Sequence, residues 1–104
     1  MLDASNPAFR PVLDRFHVRM RENRTRLDDL RASISAGDEQ AFAEIRLIAH
    51  RLAGAAGTFG YAALGGAARE LDVVLSEGCR NAGLVDDRLL ALIAAIDASG
   101  SAAA

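Results

Sequence analysis

The chain has 104 residues, room for one hydrophobic core and too few for two domains. Half of it is hydrophobic (51%), yet only Phe9, Phe16, Phe42, Phe59 and Tyr61 are aromatic and β-branched residues are few, a mixture that favours helices. A formal charge of −2 argues against nucleic-acid and anionic-membrane surfaces, and no apolar run approaches the roughly 20 residues of a membrane span.

From Phe9 the apolar positions run Phe9, Leu13, Phe16, Met20, Leu27, Leu30 and Ile34, with polar Asn23 at the one missing place. Steps of three and four residues predict a single long helix with one buried stripe. Pro11 suits its first turn, where a missing N–H removes no hydrogen bond. Gly37 is suited to end the helix in a left-handed conformation, and Asp38 to cap the next.

The second segment, Glu39 to Thr58, carries Phe42, Ile45, Ile48, Ala49, Leu52, Ala56 and Phe59 in phase. The third, Ala63 to Glu77, carries Leu64, Ala67, Ala68, Leu71, Val74 and Leu75. "EGCRNAG" breaks the pattern, and Val85 to Ala98 forms a fourth stripe with Asp86 and Asp87 near its positive end. The expected architecture is all-α, an antiparallel four-helix bundle running up-down-up-down. Residues 9–98 form its single domain, after a flexible N-terminus (1–8) and before a frayed, disordered tail (99–104). Cys79 is alone and reads as a buried or half-buried free thiol. The first residues lack the basic segment and apolar run of a signal peptide, so a cytoplasmic protein standing on its own is expected.

The stretch "AHRLAGAAGTFGYAALGGAARELD" places one histidine at the head of a glycine- and alanine-rich run. An α-helix turns about 100° per residue, which sets His50 opposite a core stripe centred on Ile45, Ile48, Leu52 and Phe59. Its neighbours on the helix surface are then Ala43, Arg46, Leu47, Ala53, Gly54 and Gly57. A histidine in such a clearing can be approached by another protein's backbone, and neutral imidazole is a competent nucleophile. A solvated surface histidine, with Gly and Ala serving close helix packing, accounts for the same residues. His17, beside the first core stripe, is expected to have no functional role.

The same stretch resembles the signature of histidine-containing phosphotransfer (HPt) domains through His50, Leu52, Gly54, Ala55, Ala56, Phe59, Gly60, Leu64, Leu71 and Asp72. The upstream "AGD" turn and the lead-in to His50 extend the likeness over nearly the whole chain. The resemblance implies a four-helix bundle whose His50 accepts a phosphoryl group, at Nε2, from a phospho-aspartate on the receiver domain of a hybrid histidine kinase. It implies transfer onward to the receiver aspartate of a response regulator. The receiver brings the aspartate and Mg²⁺, so the chain is expected to be a monomeric carrier, not an independent enzyme, with no cofactor or metal of its own. Gly54 and Gly57 would let the receiver's loops approach, Leu47 would offer apolar contact, and Gly60 would serve the turn.

One position departs from the family. The lysine usual three residues after the histidine is Ala53 here, leaving Arg46, Arg51 or Arg69 to supply positive charge. That loss motivates an alternative, a module that docks receivers without transferring phosphate. A metal-binding bundle fits poorly, because Glu44 and Glu70 do not stand in the Glu-x-x-His pattern. A dimerising histidine-kinase module would have a carboxylate beside the histidine, where this chain has Arg51. Gly65 and Gly66 are expected to pack the third helix closely against the second.

Overall fold

Arg10–Ser35 (α1), Glu39–Phe59 (α2), Ala62–Ser76 (α3) and Ala82–Ala103 (α4) make up the computed structural model, which describes the backbone of residues 7–103 and the side chains of residues 7–99. No strand occurs among the described residues. α2 lies beside α1 and α3, and α4 beside α3 and α1, so the two diagonal pairs stand farther apart across the core. Cross-helix pairs fix the directions. Along α1, Arg24 meets Asp97 and Arg31 meets Asp86, so α4 runs the opposite way. The product is the antiparallel, up-down-up-down bundle that the stripes predict.

The helix ends follow from local chemistry. Gly37, at φ +78°, turns the chain out of α1, and the Asp38 carboxylate then accepts the Gln40 N–H at 2.9 Å. Gly60, at φ +79°, ends α2, and the Tyr61 N–H returns to the Ala56 carbonyl at 2.9 Å. α4 departs from expectation at both ends. Asn81 accepts the Leu84 N–H at 3.0 Å and starts the helix at Ala82, ahead of Gly83. At the other end it continues through Ser99 and Gly100 to Ala103, with no proline to interrupt it. Asp86 is drawn to Arg31 on α1, whose guanidinium lowers its carboxyl below the usual range. Residues 1–6 of the expected flexible N-terminus lie outside the described residues, as does Ala104 of the expected tail.

The core is built from one apolar stripe per helix. Met20, Leu27 and Ile34 of α1 meet Ile45 of α2, Leu64 and Leu71 of α3, and Leu89 and Leu92 of α4, all essentially without exposure. Ile48 and Phe59, expected at the centre of the α2 stripe, are only half-buried, because α1 does not cover that edge completely. Between α2 and α3 the buried residues are small: Ala49, Ala56, Gly65 and Ala68. A Cβ on Gly65 would lie 3.5 Å from the Ala56 Cβ, so the two helices run in close contact. Gly66 has open space where its Cβ would be, so the packing expected for both glycines holds for Gly65 alone.

Aromatic side chains gather at one end. Phe16 stacks on Phe59 (4.4 Å between centroids), Phe9 stacks on Phe59 (5.3 Å), and the Tyr61 hydroxyl bonds the Nε2 of His17 at 3.0 Å. Burial and the neighbouring Arg21 lower the His17 pKa against the opposing pull of Asp14. His17 thus clamps α1 to the turn between α2 and α3. No helix among the described residues is long and apolar enough to cross a membrane.

Candidate functional site

The outer face of α2 carries His50, whose side chain is 70% exposed. Leu47, one turn earlier, is 47% exposed, and Gly54 and Gly57, farther along the same face, have nothing within 4 Å of where a Cβ would sit. These glycines therefore answer no packing need inside the bundle. They leave the surface beyond the imidazole bare.

The close approach of α3 gives this face a second wall. His50 Nδ1 lies 3.0 Å from Asp72 Oδ2. A carboxylate only accepts, so Nδ1 is the donor, and in the neutral ring the lone pair is then on Nε2. The other oxygen of Asp72 accepts the Ser76 hydroxyl at 3.2 Å and lies 3.5 Å from Arg46 Nε. Arg46 Nε–H in turn donates to Ser76 Oγ at 2.8 Å. Asp72 itself is largely covered, with 18% of its side chain exposed. A shallow cavity of about 300 Å³ lies over Ala43, Arg46, Leu47 and His50. The arrangement presents an oriented nucleophilic nitrogen, a carboxylate behind its ring, and a guanidinium in the same hollow.

Among the cations considered from sequence, only Arg46 shares a cavity with His50. Arg51 lines a different one, about 370 Å³ between α1 and α2, with Arg19, Glu22 and Asn23. Arg69 stands over the groove between α3 and α4 with Arg88 and Val73. Ala53 is a correction: set among the exposed neighbours of His50 by the helical wheel, it is half-buried against the core because α3 approaches closely at Gly65. Asp72 entered the sequence reading only as the closing acid of a motif, and Ser76 did not enter it at all. A signal for both was present. His50 and Asp72 each lie eleven residues from Tyr61, and Arg46 and Ser76 each lie fifteen. Two antiparallel helices of equal rise place such residues at the same height.

No group of three or more His, Cys, Asp or Glu side chains among the described residues converges as a metal site. Comparison with curated proteins finds no match, and comparison with solved structures finds none. The family model described as the Hpt domain matches residues 13–102, from Leu13 near the start of α1 nearly to the end of α4. Hpt domains are phosphocarrier modules, which take part in histidine phosphotransfer and interact with receiver domains of two-component systems. With its four-helix bundle and that match over most of its length, this chain belongs to the Hpt-domain family.

Proposed function

We propose that His50 is the phosphoacceptor, taking a phosphoryl group from the phospho-aspartate of a hybrid histidine kinase's receiver domain and passing it to the receiver aspartate of a response regulator. A single observation carries this: His50 stands exposed with Nδ1–H held by Asp72, so Nε2 faces solvent with its lone pair free. In the step itself, that lone pair forms the N–P bond as the aspartyl O–P bond breaks. The leaving electron pair returns to the donor carboxylate. Nδ1 keeps its proton, the ring gains a formal positive charge, and Asp72 stabilises it. Reversal onto a second aspartate restores the neutral ring.

Positioning and charge neutralisation dominate phosphoryl transfer, and the receiver supplies the aspartate and Mg²⁺. On this side, Leu47 gives the partner apolar contact, and Gly54 and Gly57 admit its loops. Arg46 takes the place of the family's lysine near the phosphoryl oxygens. Arg51 and Ala53 belong to the rim of the docking face, where Arg51 meets the partner from the α1 side. The chain acts as a monomeric cytoplasmic carrier with no catalysis of its own.

The half-buried Ala53, which stands where the family has its lysine, favours a second reading in which the bundle docks receivers and transfers nothing. Incubation with radiolabelled phospho-receiver domains separates the two. Label on the wild type that is absent from His50→Gln supports the carrier, whereas binding without label on the wild type supports the docking module.

A further inference from the structure

We infer that Ser76 is a positioning residue for phosphoryl transfer, holding Asp72 and Arg46 together so that the acceptor ring and its neighbouring cation are set before a receiver docks. This rests on the carrier reading of His50. Ser76 is the last residue of α3, and its exposed hydroxyl has one proton to give and lone pairs to receive one. It gives the proton to Asp72 Oδ1 and accepts the Arg46 Nε–H. At 3.5 Å, Arg46 Nε does not hydrogen-bond the carboxylate well, so the hydroxyl is the link between them. Asp72 Oδ2 is thereby left to the His50 ring.

Three other helical hydroxyls behave differently. Thr25, Ser35 and Thr58 each donate to the backbone carbonyl four residues earlier, the ordinary outlet for such groups. Ser76 instead donates to the side chain of the residue four earlier, Asp72. The consequence reaches Arg46 as well. Its guanidinium is anchored by Nε, while Nη1 and Nη2 make no hydrogen bond among the described residues. Arg46 and His50 line one hollow. A guanidinium held at its inner nitrogen keeps its outer pair for phosphoryl oxygens, which it can engage two at a time. Ser76 touches none of the reacting atoms. While the aspartyl O–P bond breaks and the Nε2–P bond forms, it holds the two groups that do. Donors set in advance need no reorganisation during reaction.

The test compares Ser76→Ala with Ser76→Thr, which keeps the hydroxyl, in the full chain. The first readout needs no partner: long-range ¹H–¹⁵N correlation of the His50 imidazole at about pH 8, above the reference imidazole range. Wild type and Ser76→Thr should show the Nδ1–H form, and Ser76→Ala a mixture of both tautomers. The second is transfer from a hybrid-kinase receiver domain charged with acetyl phosphate, where Ser76→Ala should be slowed by about tenfold, the loss of one hydrogen bond to a charged group. Ser76→Thr should stay within about threefold of wild type, a loss under half a charge-assisted bond. An unchanged tautomer in Ser76→Ala, or label transferred at the wild-type rate, overturns the inference. If wild type takes no label, the carrier reading fails, and the tautomer signal alone decides whether Ser76 positions the ring.

Discussion

Replacing Asp72 by asparagine removes one unit of charge and leaves an oxygen where the His50 Nδ1–H is accepted. The structure sets the size of the effect. Nδ1 and Oδ2 are 3.0 Å apart, and the proposed phosphorylation of His50 would add a formal positive charge to the ring at that contact. A hydrogen bond to a charged group is worth about 1.5–3 kcal/mol, and exposure favours the lower end of that range. His50 is 70% exposed, so water screens the pair. A loss of about 1.4 kcal/mol then corresponds to about tenfold in rate. Single-turnover rapid-quench transfer from a saturating phospho-receiver measures it directly, with docking affinity unchanged. Asp72→Ala, which also removes the acceptor oxygen, should lose more. Transfer by Asp72→Asn within about twofold of wild type, well below the effect of one charged hydrogen bond, would refute the role of the carboxylate.

Stability and transfer should part company at the clearing. Gly54→Ala and Gly57→Ala should each raise unfolding free energy by about 0.5–1 kcal/mol in urea titration, since helix propensity improves and the added Cβ meets nothing. Gly57→Tyr should keep the fold and raise the KM for a phospho-receiver by standing in its path. Gly65→Leu should cost about 1–3 kcal/mol by overpacking the seam against Ala56, and should weaken the His50–Asp72 bond seen in the imidazole spectrum. His17 gives a pH dependence. Its folded pKa lies below the reference 6.5, so between the two values the unfolded chain binds more protons. Stability is therefore lost as pH falls through 6.5 toward the folded value, as the protonated ring can no longer accept the Tyr61 hydroxyl. His17→Gln should flatten that part of a urea-stability profile, and an unchanged slope would contradict the clamp.

The bundle was legible because each helix carries its own stripe and Gly37, Asp38 and Gly60 mark the turns by backbone chemistry. α4 was harder to read. Asn81 starts it inside a segment that looks like a loop, and Gly83 disguises the first turn. At the site, exposure of His50, Leu47, Gly54 and Gly57 followed from the wheel. Ala53 did not, because a wheel describes one helix and cannot say how near its neighbour comes. Gly65 decides that distance. Asp72 and Ser76 were missed for the same reason: their meaning lies across the seam, in a partner more than twenty residues away.

The turn at Gly60 and Tyr61 acts as the origin from which both arms of the hairpin are measured. Adding one residue on either arm between His50 and Asp72 would advance that arm by about 1.5 Å and swing its later side chains by about 100°. The acid and the imidazole would then face different directions although every core stripe kept its composition. The register of the hairpin, counted from its turn, is thus part of the contact between His50 and Asp72.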